Sequence, residues 1–119
     1  MATKVSPLTD TLQSTLVVLT SLNVAGVESV TGGSGTLHVV EVVNGDSDAI
    51  FIKLYDDGNP TMGTTAPDVV FEVAGSATRV VWIDGGLSFV NGLSVSAAEE
   101  SGTASSTNPS SVTVRLCIS

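Results

Sequence analysis

The chain has 119 residues and a mass of 12.0 kDa, room for one domain with one core. Twelve acidic against four basic residues leave a net charge of −8, and Lys4, Lys53, Arg79 and Arg115 are too scattered to build the basic face that nucleic acid requires. No apolar run approaches the roughly 20 residues that span a bilayer, so neither nucleic acid nor membrane is an expected partner, and a single cysteine leaves no internal disulfide.

Nineteen valines, fourteen threonines and twelve glycines stand beside five Glu, two Lys, two Arg and one Gln. That balance withholds the best helix formers and supplies the β-branched side chains that suit a pleated surface, so an all-β domain is expected. The first stretch, with Lys4 followed by Ser, Thr, Asp and Pro, lacks the apolar run of a secretory signal. Leu8, Leu12, Leu16 and Leu19 have helical spacing, and Ser6-Pro7 could open a helix. Thr9, Thr11, Thr15, Val17, Val18 and Thr20 argue against it, and the reading adopted is an N-terminal arm over 1–14 leading into a single domain over 15–119.

Gly32-Gly33-Ser34-Gly35 reads as a flexible hairpin turn. Thr36 to Val43 alternates poorly, as a strand covered on both faces would. After the turn residues Asn44 to Asp48, Ile50, Ile52 and Leu54 form one face of a strand and Phe51, Lys53 and Tyr55 the other. Asp56 to Pro60 marks a turn; Val69, Phe71 and Val73 share a face with Glu72 turned outward; Gly75-Ser76 and Asp84-Gly85-Gly86 punctuate the next runs. From Leu87 to Ala97 apolar residues alternate with serines across Asn91-Gly92, a kink in one strand or a tight turn between two. Gly102 to Ser111 reads as a long surface loop, and Val112 to Ile118 places every even residue in the core. About eight short antiparallel strands without intervening helices predict a two-sheet sandwich of Greek-key or jelly-roll kind.

The chemistry of sites is thin. His38 is the sole histidine and Cys117 the sole thiol, so neither a multi-histidine nor a cysteine-rich metal centre can form. Ser34 near His38 is not in a G-x-S-x-G elbow, and His38 reads as an ordinary strand residue. The glycine cluster has neither phosphate-loop nor dinucleotide spacing. Asp46 and Asp48, and Asp56-Asp57-Gly58-Asn59, gather oxygen ligands of the kind calcium takes, yet lack the EF-hand pattern and read as turn makers. Glu99 and Glu100 are adjacent and read as a solvated strand end. Val80 and Trp82 share a strand face, which predicts a core position for Trp82; Cys117 falls on the polar face of its strand, either exposed or under a partner. No catalytic residue, cofactor or metal site is expected.

Three stretches carry a family likeness. They are Ile52-Lys53-Leu54-Tyr55-Asp56 leading into Asn59 to Pro67, then Asp84 to Leu93, then the Ser/Thr-rich loop entering Val112-Thr113-Val114. In its combination of P-x-x-G-x-x-x-P with G-G-L-x-F-x-x-G-L, the region 49–118 resembles the small proteins that decorate or cement the capsids of tailed bacteriophages; the first 48 residues carry no such likeness. The resemblance implies a compact jelly-roll-like sandwich, commonly a homotrimer, bound to the major capsid protein on the outside of an icosahedral head and made in the host cytoplasm. A charge of −8 suits that outer surface better than contact with packaged DNA. The expected function is therefore a non-enzymatic virion structural protein that bridges capsid subunits, with Val5, Leu8 and Leu12 of the arm as the expected contacts to the shell or a sister subunit. The alternative is a tail or fibre accessory module that binds host glycans through loops around Tyr55 and Asp56.

Overall fold

A computed structural model describes residues 14–119. The arm residues Val5, Leu8 and Leu12 lie outside the described residues. Seven antiparallel strands form a two-sheet sandwich: β1 (Thr15–Leu19), β2 (Gly35–Asn44), β3 (Ile50–Asp56), β4 (Val69–Val73), β5 (Thr78–Phe89), β6 (Leu93–Ala98) and β7 (Val112–Ile118). Sheet A has the order β1-β7-β2-β5 and sheet B the order β4-β3-β6. The core lies between them, where Leu37, Val40, Val42, Val114 and Leu116 of sheet A meet Ile50, Ile52, Leu54, Val73, Val95 and Ala97 of sheet B. Period-two alternation puts these side chains on the inner faces, so β7 reads as expected, with Val112, Val114, Leu116 and Ile118 buried.

Among the described residues there are seven strands where about eight are expected, and the segment between β1 and β2 is irregular. Residues 23–30 run along the free edge of β6, where Val27 and Val95 exchange backbone hydrogen bonds of 2.8 and 3.0 Å, Val30 N–H donates to Leu93 O at 2.8 Å and Ala97 N–H to Asn23 O at 3.1 Å. This rim closes an edge that would otherwise expose unpaired backbone groups. Because β1 and β2 each pair with β7 and not with one another, Gly32 to Gly35 is a crossing from this rim into β2 and not a hairpin turn.

Two sequence signals for strand ends resolve differently. Asn91-Gly92 lies between β5 and β6, where the chain leaves sheet A for sheet B. Asp84-Gly85-Gly86 ends no strand: β5 continues through it, and the pairing with β2 jumps from Val39↔Trp82 to Leu37↔Leu87, leaving Ile83 to Gly86 opposite His38 as a wide bulge. Gly86 has φ +81°, and a Cβ there would sit 2.4 Å from Thr36 Cγ2, so the bulge excludes any larger residue.

Candidate functional site

Both faces of β3 are buried, and the outer one is polar. Lys53, Tyr55, Ser94 and Ser96 project from the outside of sheet B, and all four are buried. Three loops cover them. The Lys53 ammonium donates to Ala104 O and, at 3.1 Å, to Ser105 Oγ, which ties the 99–111 loop to β3. Ser29 N–H donates to Ser94 Oγ at 3.0 Å, and that hydroxyl donates to Asp57 O at 2.6 Å. Gly26, with φ +67°, approaches so closely that a Cβ would lie 2.7 Å from Val95 O and 2.8 Å from Met62 Cε. Burial lowers the Lys53 pKa, and the nearby Glu100 carboxylate works against that shift.

The glutamate pair is therefore no solvated strand end. Glu100 accepts from Ser106 N–H and Ser106 Oγ, each at 3.0 Å, and from Thr107 N–H at 3.2 Å, so it organises the covering loop. Hydrogen bonds from the Thr107 side chain and backbone, with those of Ser106, bring its pKa down to about 2. Glu99 turns elsewhere, to within 4.8 Å of the carboxylates of Asp46 and Asp48. Partial desolvation, then the charges of Asp46, Asp48 and Glu100, push the Glu99 pKa up. Asp46 itself performs the turn work expected of it, accepting from Asp48 N–H at 2.9 Å and Ser110 N–H at 2.8 Å, and these bonds lower its pKa. Asp57 does the same, accepting from Asn59 N–H at 2.8 Å. Neither the buried Lys53 nor the approach of Glu99 to Asp46 is visible in local sequence, because each is produced by the fold of a loop.

Tyr55 offers no sugar-stacking surface. It is fully buried, with its hydroxyl 3.4 Å from Ser96 Oγ. The small cleft beside it, about 180 Å³, is walled by Leu54, Val69, Leu87, Phe89 and Leu93. The carboxylates at its rim are engaged in the fold: Asp56 accepts from Val90 N–H at 2.9 Å and Asn91 N–H at 2.8 Å, and Asp68 accepts from Asp56 N–H at 2.6 Å. His38 is a strand residue beside the bulge, its Nε2 2.7 Å from Ser119 Oγ.

The outer face of sheet A is the opposite case. Trp82 is 76% exposed, which overturns its expected core position. Residues 80–83 are apolar on both strand faces, so alternation alone could not choose; Val81 and Ile83 take the inward positions against the core, and Val80 and Trp82 face out. Leu16 is 63% exposed, and Val18 stands beside it on the opposite edge strand. The register aligns these residues into rows across the sheet. One row is Leu16, Cys117, Val39 and Trp82; the next is Val18, Arg115, Glu41 and Val80; a third carries Thr113, Val43 and Thr78. Cys117 is half-buried in the middle of the first row. Arg115 and Glu41 join at 3.0 Å in the middle of the second.

The rows above therefore contain one positive and one negative charge in a chain of net charge −8. The acidic groups gather at the sandwich ends instead, around Asp46, Asp48 and Glu99 at one and Asp56 and Asp68 at the other. Rows of this kind can be covered at little desolvation cost, since they are apolar and without net charge. Compared with known families and with curated proteins, the chain matches no family model and no curated protein.

Proposed function

We propose that this chain is a virion structural protein that decorates the outer surface of a bacteriophage head and bridges capsid subunits, acting by adhesion and not by catalysis. The observation that carries the reading is the bare outer face of sheet A, where Leu16, Val18, Val80 and Trp82 surround a neutral centre. The resemblance of residues 49–118 to capsid decoration proteins supplies the setting. Its motif residues have structural work here: Met62 and Gly63 lie in a loop packed toward Gly26 and Ser105, and Gly85-Gly86 build the bulge in β5. The acidic ends suit a surface turned away from packaged DNA. The shell contact is assigned to the arm, through Val5, Leu8 and Leu12, so that several copies held together would bind by many weak contacts.

Imaging intact particles tests the reading directly, with density for this chain expected on the outside of the head and density confined to the tail contradicting it. A chain lacking residues 1–14 is expected to fold and to lose co-sedimentation with heads. Undiminished binding would reject the arm as the contact.

A further inference from the structure

We propose that the outer face of sheet A is a self-association surface that pairs two copies of this chain about a two-fold axis. The inference does not depend on the decoration reading, since it concerns the isolated protein. Its ground is the symmetry of the face. The order β1-β7-β2-β5 has its midline between β7 and β2. A two-fold axis laid along that midline, between two sheets packed face to face, sets β1 of one copy over β5 of the other and β7 over β2.

The register then decides which side chains meet. Leu16 falls opposite Trp82 of the second copy, Val18 opposite Val80, Cys117 opposite Val39 and Thr113 opposite Val43, because each of these pairs occupies a single row. Arg115 falls opposite Glu41 of the second copy. Each apolar residue on the edges meets another, and the central charges of two copies alternate in sign around a square. A net charge of −8 per copy opposes association elsewhere on the surface, but the three rows themselves carry no net charge to repel. Packed sheets twist to about −30° relative to one another, which keeps the closest contact near the axis, where the charged row and Cys117 lie.

Size sets the strength. Four strands about 4.8 Å apart and five residues about 3.4 Å each give a footprint on the order of 19 by 17 Å, a few hundred Å² per copy. That is well below the roughly 800 Å² per partner of a standard interface, so weak and reversible association is expected. Such a contact is sparse in dilute solution and filled where copies are concentrated.

Sedimentation velocity from about 1 μM to 1 mM tests this, and the expected result is a reversible monomer–dimer equilibrium. Trp82→Glu and, independently, Leu16→Asp are expected to weaken it at least tenfold while leaving the circular dichroism spectrum and melting transition in place. Val90→Glu, at an exposed apolar residue outside the face, should leave it unchanged. Charge pairing gives a sharper readout. Glu41→Arg and Arg115→Glu chains should each fail to self-associate, yet form heterodimers when mixed. Pairing should slow the reaction of Cys117, the sole cysteine, with a maleimide as protein concentration rises. A monomer up to 1 mM, a trimer, a dimer indifferent to Trp82→Glu, or charge variants that fail to pair on mixing would each overturn the proposal. None of those outcomes bears on where the protein sits in a particle, which imaging decides separately.

Discussion

On the outside of sheet B, Lys53, Tyr55, Ser94 and Ser96 lie buried under loops; on the outside of sheet A, Leu16, Val18, Val80 and Trp82 stand in solvent. Polarity alone would have assigned the two faces the other way round. The difference lies in what each face can offer its surroundings. Sheet B presents hydroxyls and an ammonium, which hold irregular loops by supplying partners for backbone groups that have no strand to pair with. The apolar rows of sheet A present no comparable set: their charged groups, Arg115 and Glu41, already satisfy one another. A sheet that carries its own cover needs polar side chains beneath it, whereas a sheet awaiting a partner does better with apolar ones.

The comparison breaks most visibly at the two single aromatics of their kind. Tyr55→Ala should cost about 3 kcal/mol or more, because it empties a buried site beneath the loops. Trp82→Ala should change stability by about 0.5 kcal/mol or less in dilute protein. Urea unfolding of both variants at micromolar concentration checks the pair, and similar losses would mean that the two faces are equally packed. A smaller effect is expected at Lys53. Lys53→Met keeps the length of the side chain but leaves Ala104 O and Ser105 Oγ without their donor, for a loss of about 1–3 kcal/mol. Faster amide exchange confined to residues 99–111 would locate that loss in the covering loop.

The smallest effect is a pH dependence. Glu100 ionises with a pKa of about 2 in the folded chain against an ordinary 4.5, so its contribution is fully present above pH 4.5 and is lost as pH falls toward 2. Glu99 is shifted the other way, by partial desolvation first and by the charges of Asp46 and Asp48 next, so the fold favours its protonated form. Glu100→Gln should flatten the acid limb of stability between pH 4.5 and 2, and Glu99→Gln should raise stability at neutral pH. Denaturant midpoints measured from pH 7 down to pH 2 check both signs.

Much of the architecture was legible because inner faces announce themselves by period. Val112 to Ile118 and Val69 to Val73 show one apolar face each, and the structure buries those faces. The sequence was least informative where both faces of a strand are buried or both are apolar. Period two separates Lys53 and Tyr55 from the aliphatic face of β3 but does not show their burial, because the loop that covers Lys53 is distant in the chain. Trp82 read as core because Val80 shares its strand face, while Val81 and Ile83 make the other face equally apolar. The docking face was hidden for a further reason: its rows join residues 16, 117, 39 and 82, and only the non-consecutive strand order brings them together. A usable signal was present in residues 80–83 nonetheless, since an edge strand apolar on both sides has more hydrophobic surface than one core can take.

Trp82 is the sole tryptophan and sits in the exposed row, so its fluorescence reports whether this face is open or covered without any label. In dilute protein the emission should resemble that of free tryptophan in water and be readily quenched by acrylamide. On raising the concentration toward 1 mM it should shift to the blue and lose access to the quencher, with Leu16→Asp abolishing the change. Emission that is already blue and protected at dilution, or that stays red and quenchable at every concentration, would contradict the account.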